Sequence, residues 1–496
     1  MLNFLVLSAI LLTSSYAQPS SYGIFQKSSD VGPVAIKGSS AYDPETQAYR
    51  IEGAGTNMWF GTDEFHFLWK KLSGDCILRA QVEFIGEGVE AHRKIGWMVR
   101  NTLETNSPHV NACVHGDGLT SLQFRKTIGG ETSEVRSDAV APNIIQLERR
   151  GGTYILSTAV FGQPFERIEF SDITLNDSVF VGLYVCSHNP DVSEKALFTN
   201  VRIIIPADKD FQPYKDFIGS NLEIMDIATG HRKILYTAPN SLQAPNWTLD
   251  GKSLIYNSEG KLFKFNLKNL TPEVIDTDFA TANNNDHVIS FDGRMMGISH
   301  HSEEDSGRSV IYTLPISGGK PKRITANSPS YLHGWSVDGR ELIYTGGRNG
   351  QYDIYKVSIE TGVETRLTDT PGLDDGSEYT PDGQYIYFNS NRKGRMQIWR
   401  MKPDGSEQEQ ITFDEFNNWF PHISPDGKLI VFLSYLPDVD SGDHPFYKQV
   451  YLRTMSIDGG DPRIIAYVYG GQGTINVPSW SPDGKQVAFV SNTKVE

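Results

Sequence analysis

The chain has 496 residues, 39% of them hydrophobic and 21% charged, a globular composition with room for two or three domains. Its net charge of −15, with no extended lysine and arginine cluster in the C-terminal half, argues against a nucleic-acid partner. Three cysteines (Cys76, Cys113, Cys186), none in a Cys-x-x-Cys spacing, give no zinc or redox motif and read as small apolar core residues.

Residues 2–12 form a short, mainly apolar run, and Ser15 and Ala17 occupy the small-residue positions of a cleavage site. This predicts a signal peptide over 1–17 and a mature chain starting at Gln18. The run is about half of the ~20 residues a bilayer-spanning helix needs, so no permanent span is expected and the product reads as secreted or periplasmic. Residues 18–206 carry alternating apolar and polar segments, among them 76–84, 95–100, 153–157 and 179–185, separated by Gly, Asn and Asp turns. That pattern predicts an antiparallel β-sandwich. On the motifs at 65–69, 94–100, 115–125, 147–150 and 181–188, the segment resembles concanavalin A-like, laminin-G-like domains of secreted bacterial proteins, which implies a jelly-roll fold. Within it Arg100 and Arg125, with Trp59, Trp69 and Trp97, are candidates for a sugar-binding face, and sandwich packing is an equal alternative. The polar, proline-bearing stretch 207–217 reads as a linker.

From 218 onward one phrase recurs six times, beginning with Trp247-Thr-Leu-Asp-Gly-Lys252 and ending with Trp480-Ser-Pro-Asp-Gly-Lys485, with glycines at 251, 293, 339, 383, 427 and 484. A period in the low forties with an aromatic, a turn and an apolar strand predicts one propeller blade per repeat. The Asp-Gly pairs read as tight two-residue hairpins and the preceding aromatics as blade-to-blade packing, not as functional residues. Residues 222–236 supply the third and fourth strands of a blade, and 480–490 supply a first and second. Joining them gives six blades closed by both ends of the segment.

With the Asp-Gly turns on one rim, the remaining inter-strand loops fall on the other. Six of the seven histidines after residue 218 (His287, His300, His301, His333, His422, His444) map to that second rim, joined by Asp286, Asp374, Asp375 and Glu378. Histidine carries protons near neutral pH and ligates metals, so this concentration marks a site. His287, His333, Glu378, His422 and Asp375 are the catalytic candidates. Asp286, His301, Trp419, Gln472 and Asn476 are candidates for binding a ligand. His287, His333 and His422, from successive or near blades, are candidate ligands for a divalent metal. The insertion 436–447 is a candidate lid, a passive loop being an equal alternative.

Over 218–496 these repeats resemble the TolB-like β-propeller family and, distantly, oligogalacturonate lyase propellers. The second resemblance implies metal-held histidines and cleavage of uronic-acid linkages, with Arg348 and Arg392 as candidates to neutralise the carboxylate. The expected protein is all-β, a jelly-roll sandwich followed by a six-bladed propeller. Its expected role is to bind an oligo- or polysaccharide at the histidine-rich rim, with cleavage by a lyase or hydrolase step left open. A non-catalytic glycan binder and a TolB-like scaffold docking an envelope protein are the alternatives.

Overall fold

The computed structural model describes residues 21–495, so the predicted signal peptide lies outside the described residues. Apart from one short 3-10 turn (Glu303–Asp305), the regular elements are strands, and the fold is all-β with a six-blade β-propeller. No described helix is long and apolar enough to cross a membrane.

The chain divides into two compact units that are discontinuous in sequence: 21–73, 82–136 and 173–199 form the first, and 74–81, 137–172 and 200–495 the second. The first holds a seven-stranded antiparallel sheet ordered Lys27–Val31, Phe65–Ser73, Ser178–Cys186, Lys94–Arg100, His109–His115, Thr120–Arg125, Ser133–Arg136. It also holds a ladder of Ser39–Asp43, Ala48–Gly55 and the opening of Asn189–Ile204. All three cysteines are buried and free.

Arg100 and Arg125 correct an expectation. Both are wholly buried in the first unit, where they converge on Asp63. Arg125 donates through Nη2 to Oδ1 at 2.6 Å and through Nη1 to Oδ2 at 2.9 Å, and Arg100 Nη2 reaches Oδ2 at 3.3 Å. Buried charges persist only when paired, so these side chains are internal staples and present no face to a sugar.

The second unit contains the propeller. Five blades are complete four-stranded sheets; the first of them runs Gln243–Trp247, Ser253–Ser258, Lys261–Asn266, Thr271–Val274. The sixth is assembled from both ends of the segment: Ser220–Asp226 pairs with Arg232–Ala238 on one side and Gln486–Asn492 on the other, and Trp480 bridges to Val487. The ring thus closes as the repeat predicts. Segment 137–172 belongs to this unit because Ile144, Ala159, Phe161 and Phe165 share a core cluster with Phe416, Tyr451, Ile464 and Tyr467.

All six Asp-Gly glycines have φ between 68° and 70°, where a side chain is disfavoured. In every copy the Ser or Thr two residues before the Asp donates its hydroxyl to the carboxylate, as Thr248 does to Asp250 at 2.7 Å and Ser481 to Asp483 at 2.6 Å. The backbone ladder closes outside this pair, from Thr248 N–H to Ser253 O at 3.0 Å. The loop is therefore four residues long and not the two-residue hairpin expected from the sequence. Two of the phrase's three tryptophans join blades: Trp335 Nε1 donates to Val288 O and Trp480 Nε1 to His422 O, each at 2.9 Å.

One irregularity decides what reaches the centre. The first strand of each complete blade carries a register shift, between Gln243/Asn246, Asn283/His287, Leu332/Gly334, Asp375/Glu378 and Trp419/His422. A bulge re-aims the side chains that follow it, so residues spaced alike from the Asp-Gly turn do not all face the same way.

Candidate functional site

Loops and strand ends from all six blades line one cavity of about 1170 Å³. Asparagine dominates one part of the wall, with Asn240, Asn257, Asn283, Asn284, Asn285 and Asn476. Tyr214, Phe217, Tyr331, Tyr352, Phe420 and Phe446 supply aromatic surface, and the ionisable lining is Glu259, Asp286, Asp375, His301, His333 and His444. Among the described residues, no lysine or arginine lines it.

The centre of the site is a buried ion pair. His333 lies in the first strand of the third blade and Asp375 in that of the fourth. His333 Nε2–H donates to Asp375 Oδ1 at 2.8 Å, and the same oxygen accepts from the Thr345 hydroxyl at 2.6 Å and the Gly376 N–H at 2.8 Å. Burial disfavours the Asp375 charge, but His333, His444 and the Thr345 hydrogen bond outweigh it and hold the carboxyl down at about 2. Burial likewise opposes charge on His333, yet Asp375, with Asp286 and Glu378 beyond it, holds the imidazole above its ordinary value. His333 Nδ1 has no hydrogen-bond partner among the described residues, which leaves it available to a ligand. Asp286 behaves oppositely: burial lifts it to about 6, against a weaker opposing pull from His333. The site therefore sets an ionised carboxylate, an imidazole and a carboxyl that titrates near neutrality side by side, an arrangement suited to proton transfer.

His444, from the insertion 436–447, is placed on this rim by the sequence but not assigned there a catalytic, binding or metal role. Its Nε2 lies 3.9 Å from Asp375 Oδ2, and its ring packs edge-on against Trp419 with centroids 4.6 Å apart. Tyr435 and the Gln472 N–H both bond to Pro445 O, which fixes the insertion over the rim. Its position in a loop of irregular length hid its role.

Of the sequence candidates, Asp286, His301, His333, Asp375, Gln472 and Asn476 line the cavity. Gln472 and Asn476 are tied to each other, Asn476 Nδ2 donating to Gln472 Oε1 at 2.8 Å. Trp419 does not line it; wholly buried, it supports the His444 ring from behind. His287 and His422 are corrections too. Fully buried, His287 Nε2 donates to Ile255 O of the preceding blade at 3.2 Å, and burial pushes its pKa down to about 4. His422 contacts Glu378 Oε2 through Nδ1 at 2.7 Å and Ile475 O through Nε2 at 2.5 Å, while Glu378 Oε1 accepts from the Ile423 N–H. Both histidines, and Glu378 with them, are inter-blade ties outside the cavity lining.

The expected metal set does not fit these residues. His287, His333 and His422 each spend a ring nitrogen on a different protein partner, and no group of three His, Cys, Asp or Glu suited to a metal occurs among the described residues. Arg348 and Arg392 are equally engaged, with Glu364 and Asp374.

Fold and site together define a β-propeller with a polar and aromatic rim cavity. The model of the TolB beta propeller domain matches residues 331–438. Uncharacterized protein Atu1656 of Agrobacterium fabrum is 48% identical over 278 residues, 56% of this chain and 94% of that protein. A solved structure described as putative TolB from Agrobacterium tumefaciens superimposes with a TM-score of 0.54 at 47% identity, covering 56% of this chain and 100% of that one. The Tol-Pal system protein TolB of Francisella tularensis is 26% identical over 255 residues; the match spans 50% of this chain and only 56% of that relative. The chain belongs to the TolB-like β-propeller family.

Proposed function

We propose that the protein binds an oligosaccharide in the rim cavity, as a secreted or periplasmic protein. The observation that carries this reading is the composition of one wall. Amide and hydroxyl groups (Asn240, Ser241, Asn257, Asn284, Gln472, Asn476) share the cavity with aromatic faces (Tyr331, Tyr352, Phe420, Phe446). Amides pair with sugar hydroxyls while rings cover the apolar faces of pyranoses, and a 1170 Å³ cavity admits several sugar units. The His333–Asp375 pair anchors the ligand through His333 Nδ1. Should cleavage follow, the His333 imidazolium is placed to give a proton through Nδ1–H and the Asp286 carboxylate to take one. In this reading the N-terminal segment 18–206 is a concanavalin A-like jelly roll, 207–217 a linker and 218–496 the propeller; its strands are antiparallel, in keeping with that assignment.

Calorimetric titration of an oligosaccharide panel tests the reading. A binding sugar is expected to lose at least tenfold in affinity on His333→Ala and on Tyr331→Ala, about 1.4 kcal/mol each. A panel without a binder, or variants that bind as the parent does, would remove the cavity from consideration.

The second reading is a scaffold docking an envelope protein at the same rim, favoured by the name of the Francisella relative, a Tol-Pal system protein. It predicts capture of a protein partner that free oligosaccharide does not displace.

A further inference from the structure

The charge of the cavity narrows its ligand. Glu259, Asp286 and Asp375 line it, no lysine or arginine does among the described residues, and the rim arginines Arg348 and Arg392 are spent on Glu364 and Asp374. Asp375 is already neutralised by His333, Thr345 and the Gly376 N–H. Asp286 is only 5% exposed and has no arginine or lysine beside it; the charged groups acting on it are His333 and Asp375. An anionic ligand would meet these carboxylates with no lysine or arginine among the described lining residues to offset them, the His333 charge being already matched by Asp375, at low local dielectric.

Two independent features point to an occupant. His333 Nδ1 and Asn285 Nδ2, both buried on this wall, have no hydrogen-bond partner among the described residues. Buried polar atoms of this kind are satisfied by what enters the site. Beside them, the Tyr331 and Tyr352 rings stand with centroids 6.4 Å apart, a surface that attracts an ammonium group electrostatically.

We infer that the cavity selects a saccharide carrying free amines, an oligomer of amino sugars and not of uronic acids, with the Asp286 carboxylate as the counter-ion of one ammonium group. This rests on the saccharide reading above and deepens it. Without a bound amine the buried acid sits near its own titration point, and a neighbouring ammonium favours its ionised form.

The experiment is calorimetric titration of the full chain at pH 6.5 with three tetramers: glucosamine, N-acetylglucosamine and galacturonic acid. The glucosamine tetramer is expected to bind at least tenfold more tightly than the acetylated one, and the galacturonate tetramer not measurably. Asp286→Asn is expected to abolish the preference, bringing the affinities for the glucosamine and N-acetylglucosamine tetramers to within threefold of each other. Equal binding of the two amino-sugar tetramers, tighter galacturonate binding, or a preference that survives Asp286→Asn would overturn the amine inference alone. Failure of all three to bind parent protein would overturn the saccharide reading and this inference with it.

Discussion

Asp286→Asn is expected to stabilise the protein at neutral pH while it removes amine recognition. The folded-state pKa of Asp286 is raised to about 6 from an ordinary 3.8, with burial as the main cause. Between those values the folded state holds a proton that the unfolded state has released, so this residue's contribution to stability falls as pH rises through the interval. Above pH 6 the full penalty applies; below pH 3.8 none does. Asparagine cannot ionise, so the variant gains about 2 kcal/mol at pH 7.5, allowing for compensation in a two-unit shift. The gain shrinks as pH falls to 4.5. Urea unfolding of parent and variant at both pH values measures it, and an equal or destabilising effect at pH 7.5 would show that Asp286 carries no stored penalty. Sites built to bind often retain such destabilising groups.

Asp63→Ala is expected to cost more than any substitution in the cavity. The carboxylate is the shared counter-ion of Arg100 and Arg125, and all three side chains are fully buried. Burial already depresses Arg100 to about 10 despite that partner. Removing one member of a buried pair leaves uncompensated charge, a loss of roughly 3–5 kcal/mol. Backbone carbonyls of Thr102 and Glu104 still accept from Arg100, which sets the lower part of that range. Asp63→Asn, expected to fold with a smaller loss, serves as the companion variant. Its thermal midpoint should fall while the affinity for a cavity ligand is unchanged. Midpoints equal to the parent's, or weakened sugar binding in Asp63→Asn, would return Arg100 and Arg125 to the surface role that their sequence positions invited.

The ring was legible in the sequence because each repeat obeys local rules. Asp and Gly make the turn, the hydroxyl residue two before the Asp caps it, and in two copies the tryptophan three before the Asp reaches the preceding blade. Direction along the ring followed from connectivity alone, and it put His333, Asp375, Asp286 and His301 on the rim that carries the cavity. Facing did not follow. His287 and His333 both lie five residues before a hairpin Asp, yet only His333 lines the cavity, because the register shifts fall between Asn283 and His287 in one strand and between Leu332 and Gly334 in the other. A bulge leaves little trace in an apolar-polar pattern. The asparagine wall was hidden differently. Asn240, Asn257 and Asn284 occur where turn residues are commonplace, so their types carried no signal until the fold drew them together. Arg100 and Arg125 failed for a third reason: a strand arginine reads as solvent-facing until its buried partner, here 37 and 62 residues away in sequence, is located.

The central claim, that the rim cavity is the ligand site, is tested most directly by hydrogen–deuterium exchange of the full chain with and without a saturating oligosaccharide that calorimetry has shown to bind. The account predicts slowed exchange in three separated segments, 283–286, 331–333 and 442–446, each of which lines the cavity. Protection confined to other segments, with these three unchanged at saturation, would contradict it.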